Sequence, residues 1–279
     1  MCTEGQLVHT LPEGLPVSGV TSVGEEIFLL RPKGDRDQVE VYDVVAYHLQ
    51  RCLTVPNALG FIDMTSCECE HCVCLYIADP NAECIHRLDV GLEGNATNWP
   101  VNDTPLSLSV NAVHNVIVTC DKVRKIKEFS PCGDLLRDVM LPDDVVHPWH
   151  AVQLTNGELI VCHGGVNDPV NRVCKISPDG ASIVHSHGGQ RGSDTGQYNA
   201  PAHVAVDGNG FVCVVDFNNR RVTVLSPTLD YMRRVVSRRR LMCRPGRLCL
   251  DVQRRRLYVS DIEDRNGEII GGRVVVFSI

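Results

Sequence analysis

The segment from Gly196 to Leu225 decides the fold of this chain. It reads Gly196-Gln197-Tyr198-Asn199-Ala200-Pro201, then Val204-Ala205-Val206-Asp207, then Gly210-Phe211-Val212-Cys213-Val214-Val215-Asp216, and after Asn218-Asn219-Arg220 it ends with Arg221-Val222-Thr223-Val224-Leu225. Short runs rich in valine are typical of strands, and the Gly, Asn and Asp residues between them are typical of tight turns. The segment therefore predicts consecutive short strands connected by tight turns.

The same order of proline, apolar run, aspartate and turn recurs along the chain at a period of roughly 46 residues, which lies in the range of propeller blades. No stretch shows a sustained helical period, and each unit can bury its faces only against its neighbours. We therefore predict one all-β domain over residues 1–279, a six-bladed β-propeller with four-stranded antiparallel blades. Its blades open at Pro16, Pro56, Pro105, Pro148, Pro201 and Pro245.

The two ends of the chain indicate how the ring closes. The sixth unit stops at Ile279 after its third strand, whereas residues 5–11 form a strand pattern that belongs to no unit of their own. Pairing the two would cover the exposed edge of the last sheet. We expect residues 5–11 to supply the outer strand of the sixth blade, and the propeller to account for the whole chain.

The unit from Gly196 to Leu225 resembles the NHL repeat, which has a proline before the first strand, a strand ending near aspartate, a second strand ending in aspartate, an Asn-Arg turn and a third strand. The resemblance is to the NHL domain of TRIM-NHL-type proteins, which hold RNA or protein partners on such a propeller. It implies that the first strand of each blade lines the central axis. Residues just after each opening proline would then surround the channel mouth on one face, called here the top face. They are Ser18, Ala58, Ser107, His150, His203 and Arg247.

Two histidines at this mouth, His150 and His203, raise the hypothesis of a metal or anion site. The lyase that completes peptide amidation has a similar propeller in which histidines near the start of inner strands hold zinc, and His150 has such a position. A catalytic zinc site normally has three protein ligands. Apart from His147 in the same blade, the sequence offers no third ligand, and it shows no general base beside them. The alternative interpretation is a wet channel lined by polar side chains.

A second metal hypothesis concerns Cys67, Cys69, Cys72 and Cys74, which fall in one short segment. Thiolates at this density can bind zinc, but the spacing matches no standard zinc finger, and the segment falls where the first two strands of the second blade are joined. The alternative is a long hairpin whose alternate cysteines pack inward. We therefore expect no cofactor, with zinc as the alternative at either place.

Arginine is concentrated in one part of the chain. Residues 231–258 contain ten arginines against one acid, Asp251, so this window has a charge of +9 while the whole chain has −7 and the remainder −16. Such a patch predicts a local site for RNA phosphates or an acidic peptide, since arginine binds both through bidentate contacts. The alternative is a solvated strand edge that charge protects from pairing. The expected top-face binding residues are Arg238, Arg239, Arg240, Arg244, Arg247, His150, His203, Arg191 and Arg220.

The predicted function is a non-catalytic binding module, or scaffold, that holds a partner on the top face. A protein partner ranks before RNA or another anionic ligand, because the acidic remainder of the chain disfavours general nucleic-acid binding. The alternative is a metal-dependent lyase or hydrolase with its site at the channel mouth. The first apolar stretch is interrupted by proline and polar residues, and no run of about 18 apolar residues occurs. We therefore expect a cytoplasmic protein without a membrane partner.

Overall fold

The computed structural model describes residues 4–32, 38–55, 60–69, 72–91, 96–265 and 268–279, and at positions 69, 72, 265 and 268 the backbone alone. Its strands are, in chain order, β1 Gln6–Thr10, β2 Gly19–Val23, β3 Glu26–Arg31, β4 Gln38–Asp43, β5 Leu49–Thr54, β6 Asp63–Cys69, β7 Cys72–Asp79, β8 Cys84–Asp89, β9 Ala96–Pro100, β10 Ser107–Val110, β11 Val116–Cys120, β12 Lys125–Phe129, β13 Leu135–Met140, β14 Pro148–Gln153, β15 Leu159–His163, β16 Val170–Ile176, β17 Ile183–Gln190, β18 Pro201–Val206, β19 Val212–Asp216, β20 Arg221–Leu225, β21 Tyr231–Val236, β22 Arg244–Asp251, β23 Arg256–Arg265 and β24 Glu268–Ser278.

The described strands form six sheets of four, each with antiparallel pairing. The first five blades take four consecutive strands each, beginning with β2, β6, β10, β14 and β18. The sixth has the order β22-β23-β24-β1, so the N-terminal strand forms its outer edge. Gln6 lies opposite Ser278, and Thr10 lies opposite Val275. The predicted propeller, its four-stranded blades and the closure by the N-terminal strand are confirmed.

The first strand of each blade is the innermost one. Each of these strands packs on the first strand of the next blade, in the closed circle β2, β6, β10, β14, β18, β22 and back to β2. The second strands are largely buried on both faces; β11 and β19, for example, are buried at every position. Outer strands such as β5 and β13 are largely exposed.

The hydrophobic core is divided into wedges between the blades. Six clusters of buried side chains in the described ranges each join two neighbouring blades. Ile117 of the third blade packs in one cluster with Val161 of the fourth. Val276 of the sixth blade packs in another with Val20 of the first. Each blade therefore depends on both of its neighbours for burial, as expected for a closed ring.

The inner strand of the second blade differs from its prediction. The apolar run Leu59-Gly60-Phe61-Ile62-Asp63 after Pro56 predicts this strand at residues 59–63. Pro56 to Leu59 lie outside the described residues, and the strand begins at Asp63. The reason is the length of the β6–β7 hairpin, in which Cys67 pairs with Cys74 and Cys69 with Cys72. The hairpin continues the inner strand beyond the apolar run, so Asp63 begins a strand instead of ending one.

Among the residues that the structure describes, no helix has the length and apolar character needed to cross a membrane.

The segment that follows β1 offers a test of ring closure. The Leu11 side chain is fully buried, and its backbone N–H donates to the Val274 carbonyl oxygen at 2.8 Å. We predict that Leu11→Ala lowers the free energy of unfolding by about 2–5 kcal/mol, because it opens a cavity between the sixth and first blades. Urea unfolding followed by circular dichroism measures this loss.

The matched control is Leu7→Ala in the same strand region, where the side chain is 42 % exposed. This change should alter the free energy of unfolding by less than about 0.5 kcal/mol. Equal losses in the two variants would contradict the docking of the N-terminal segment in the core.

Candidate arginine groove and axial cluster

A groove lined by arginines lies on the top face beside the start of the fifth blade. It has a volume of about 980 Å³. The turn from β19 to β20, the loop between β17 and β18, and the crossing from β21 to β22 meet there. Its lining residues are Glu4, Ser193, Asn218, Asn219, Arg220, Arg221, Arg234, Ser237, Arg238, Arg239 and Arg240.

Positive charge dominates this groove, since six of its lining residues are arginines and one is a carboxylate. Arg220, Arg238, Arg239 and Arg240 are exposed. Their side chains form no ion pair with any residue in the described part of the chain. Four such guanidinium groups in one concave surface produce a local positive potential that attracts anions.

Arg221 has a structural position at the groove wall. Its Nε donates to the buried Asp216 carboxylate at 2.7 Å, and its terminal nitrogens donate to the carbonyl oxygens of Ser193 at 3.0 Å and Gln197 at 2.6 Å. Burial raises the pKa of the Asp216 carboxyl, and the Arg221 guanidinium opposes that rise. Arg221, at the start of β20, therefore holds the loop before β18 against the fifth blade.

Glu4 supplies the carboxylate of the groove. Its Oε1 lies 3.4 Å from Nε of Arg234, and the Ser237 hydroxyl donates to its Oε2 at 3.1 Å. The residue stands two positions before β1, so ring closure places its carboxylate against the arginines.

The other arginines predicted for this face lie elsewhere. Arg244 forms an ion pair with Asp264 at 3.0 Å and lies over the ring of Phe217. Arg247 points to the central axis, and Arg191 is exposed but is not part of the groove lining. The structure thus brings Arg220, Arg238, Arg239 and Arg240 together and separates them from the remaining predicted arginines.

A second group of polar side chains lies where the inner strands begin. Asp63, His150 and His203 come from the second, fourth and fifth blades, and one possible ligand atom of each lies within 4.8 Å of the other two. All three side chains are buried. The rings of His150 and His203 stack with 3.7 Å between their centroids. Arg247 reaches across from the sixth blade, with its Nε 3.0 Å from Asp63 Oδ1.

The third blade contributes backbone groups to this axial cluster of Asp63, His150, His203 and Arg247. The Leu108 N–H donates to Asp63 Oδ2 at 2.8 Å, and His150 Nε2 donates to the Leu108 carbonyl oxygen at 3.1 Å. A carbonyl accepts only, so this bond places the His150 proton on Nε2 and leaves a lone pair on Nδ1. His150 Nδ1 and His203 Nδ1 are both buried without a hydrogen-bond partner among the described residues.

Burial controls the protonation of the axial cluster. Loss of hydration lowers the pKa of His150 to about 3. It also lowers the pKa of His203 well below its ordinary value, and the nearby His150 and Arg247 add to this effect. Both imidazoles are therefore neutral at pH 7 and keep a free lone pair. Burial raises the pKa of Asp63, against the opposing effect of the Arg247 guanidinium.

A local sequence pattern explains why these side chains converge. His150 and His203 each stand two residues after the proline that opens the blade, and a β-bulge separates proline from histidine in both strands. The residue before each proline has a left-handed φ, 46° at His147 and 57° at Ala200. Neighbouring blades with the same local geometry present the same position to the axis. Arg247 has the equivalent place after Pro245.

The predicted ring of mouth residues is therefore formed only in part. His150, His203 and Arg247 come together, whereas the Ser18 hydroxyl turns to the Leu30 carbonyl of its own blade and Ala58 lies outside the described residues. Ser107 is buried at the start of β10, and its hydroxyl has no partner within the described ranges.

Asp63 is the member of the cluster that the sequence does not identify. An aspartate after an apolar run is typical of a turn cap, which is what Asp207 does when its Oδ1 accepts the N–H groups of Asn209 and Phe211. Asp63 instead begins a strand and faces the axis. No local signal separates these two cases, because both follow an apolar run in the sequence.

The cysteine hairpin is present, and its first and last cysteines have partners. Cys67 Sγ lies 3.2 Å from His114 Nδ1, and Cys74 Sγ lies 2.9 Å from Asp89 Oδ1. The side chains of Cys69 and Cys72 lie outside the described residues. Zinc binding by these four cysteines stays a prediction.

A second buried cluster, of Asp79, Cys84 and His86, lies in the second blade. His86 Nε2 lies 3.1 Å from Asp79 Oδ2 and 3.4 Å from Cys84 Sγ. Asp79 lies at the end of a second strand, the place held by Asp216 in the fifth blade. Asp216 pairs there with Arg221 on the third strand. The cluster therefore joins the second and third strands of its blade in the same way.

Comparison with known proteins adds information on the fold alone. No protein-family model and no curated protein matches this chain. Among solved structures it is similar to Kuenenia stuttgartiensis hydrazine synthase, with a TM-score of 0.65, 13% identity, and coverage of 98% of each chain. It is similar to a streptogramin B lyase, with a TM-score of 0.61, 12% identity, and coverage of 99% of this chain and 86% of that one. It is also similar to a catalytically inactive virginiamycin B lyase from Staphylococcus aureus with quinupristin, with a TM-score of 0.62, 11% identity and 99% of each chain covered.

These likenesses support the six-bladed propeller and leave the choice between scaffold and enzyme open. The narrower resemblance to the NHL repeat stays a prediction.

The Arg247–Asp63 ion pair allows the axial cluster to be tested by measuring the free energy of unfolding. We predict that Arg247→Met lowers the free energy of unfolding by about 3–5 kcal/mol, because it leaves a buried carboxylate without its cation. Adding Asp63→Asn to this variant should restore most of the loss. The measurement is urea unfolding in the presence of a chelator.

Arg244→Met is the matched control, because Arg244 lies three residues before Arg247 in β22 and pairs with Asp264 at a more exposed position. We expect it to cost less than about 1 kcal/mol. If Arg247→Met costs no more than this control, the ion pair at the axis is not formed.

Proposed function

We propose that this propeller is a binding module whose arginine groove holds an acidic segment of a partner protein. The observation that carries the proposal is the groove itself, in which Arg220, Arg238, Arg239 and Arg240 are exposed without a carboxylate partner among the described residues. Each guanidinium can bind a carboxylate through two parallel hydrogen bonds. An extended acidic peptide presents such groups at short intervals.

The position of Glu4 supports a carboxylate ligand. The contacts of its side chain with Arg234 and Ser237 show a carboxylate accommodated at one end of the groove. The four unpaired arginines extend the same surface. A second acidic side chain that entered the groove would contact arginine side chains that the β21–β22 crossing and the β19–β20 turn already hold in position.

An acidic protein fits this groove better than RNA does. Recognition of single-stranded RNA relies on aromatic side chains that stack on bases, and none of the residues lining the groove is aromatic. Outside residues 231–258 the chain has a charge of −16. A long polyanion that continued beyond the groove would meet a surface of its own sign.

A metal-dependent enzyme with its site at the channel mouth is the second candidate function. The observation that favours it is the buried group of Asp63, His150 and His203. Two imidazoles and a carboxylate form a ligand set used by catalytic zinc sites.

We expect a fluorescent peptide of twelve residues rich in glutamate to bind the protein in an anisotropy titration, with affinity that falls as salt is added because screening weakens exposed charge pairs. Replacing Arg238→Gln and Arg239→Gln together should weaken binding about ten-fold, which corresponds to roughly 1.4 kcal/mol. The matched control is Arg255→Gln with Arg256→Gln, which changes the net charge equally at the β22–β23 turn on the opposite face.

The outcomes separate the alternatives. Loss of affinity in the groove variant alone supports the proposal, whereas equal loss in both variants indicates an effect of net charge and contradicts it. Tighter binding of a twelve-nucleotide uridine RNA than of the peptide, lost in the groove variant, would assign the groove to nucleic acid instead. Absence of binding by both probes would overturn the groove as a ligand site.

A further inference from the structure

The axial cluster brings together three side chains that could bind one metal ion. Asp63, His150 and His203 approach one another from three different blades, within 4.8 Å between their possible ligand atoms. Bonds of about 2.0–2.1 Å to a tetrahedral zinc ion would bring such atoms to about 3.4 Å from each other. Side-chain adjustments of about one ångström are therefore sufficient to close the site on an ion.

The hydrogen bonds around the histidines resemble the outer shell of a metal site. A metal-binding histidine usually donates its second ring N–H to a carbonyl or carboxylate, which fixes the tautomer and orients the ring. His150 does this through Nε2 and the Leu108 carbonyl oxygen. The Nδ1 atom that remains is buried without a partner among the described residues, and so is Nδ1 of His203. A buried ring nitrogen without a partner is unfavourable, and a metal ion bound through the two Nδ1 atoms would satisfy both.

The hydrogen bonds of the Asp63 carboxylate are compatible with metal binding. Asp63 Oδ1 accepts from Arg247 and Oδ2 accepts from the Leu108 N–H, and the Met64 N–H also donates to this carboxylate. The two oxygens together offer about four lone-pair sites, so these contacts orient the carboxylate and still leave it able to bind an ion. Ligating carboxylates are commonly hydrogen-bonded in this manner.

We propose that Asp63, His150 and His203 together bind one zinc ion at the axis of the propeller. Two neutral imidazoles and one carboxylate favour zinc, whereas calcium and magnesium require mainly oxygen ligands. Three protein ligands leave one coordination position for water or an anionic ligand. All three ligands are buried, and His203 is the most exposed of them at 8 %. This site is independent of the arginine groove.

The test is zinc binding to the chelator-stripped protein, measured by calorimetry and by elemental analysis after gel filtration. We expect one zinc ion per chain and a higher melting temperature in its presence. His203→Gln, His150→Gln and Asp63→Asn should each weaken zinc binding by at least about ten-fold. His163→Gln is the matched control, because His163 is a buried histidine of the fourth blade outside the cluster, and it should bind zinc as the wild type does.

Cobalt in place of zinc gives a readout that requires no variant to fold. Nitrogen and oxygen ligands predict visible d–d bands without an intense sulfur-to-cobalt charge-transfer band in the near ultraviolet. A strong charge-transfer band would show that a cysteine thiolate binds the metal and would overturn the proposal. Zinc that persists in His203→Gln and disappears in Cys67→Ser with Cys74→Ser would assign the metal to the cysteine hairpin and would overturn it as well. Absence of zinc binding to the stripped wild-type protein would also overturn it.

Discussion

The pairing of β1 with β24 is the constraint on which the rest of the structure depends. Each blade buries its two faces only against its neighbours, so the six wedges of core exist only if the ring is closed. A sheet edge left open at the sixth blade would expose apolar surface and unpaired backbone groups. The closure joins the first residues of the chain to the last and gives every inner strand a fixed place around the axis.

Both candidate sites are consequences of that closed ring. The axial cluster forms because inner strands that share a proline, a bulge and a polar residue point that residue at a common centre. The arginine groove forms where the crossing into the sixth blade meets the turn of the fifth, and the N-terminal segment brings Glu4 to its edge. Neither site lies within one blade, so neither is a property of a single repeat.

The sequence was sufficient for the fold because propeller blades repeat a local pattern. The Gly196–Leu225 unit predicts its own strands, and repetition predicts the ring and its closure. The sites were predicted only in part, since side chains from different blades meet through geometry that no single segment encodes. The proline pattern identifies His150, His203 and Arg247. Asp63 has the sequence context of a turn residue, and only the structure shows that it begins the inner strand of the second blade. Arg238, Arg239 and Arg240 were recognised by charge, but Arg244 was grouped with them although Asp264 and Phe217 hold it elsewhere.

The central claim is that the top face beside the fifth blade is where a partner binds. Hydrogen–deuterium exchange of the native protein with and without the glutamate-rich peptide tests it most directly. The account predicts slower exchange of the backbone amides at residues 218–221 and 237–240 when the peptide is present, with no change at the β22–β23 turn. Protection confined to that turn, or spread equally over both faces, would contradict it.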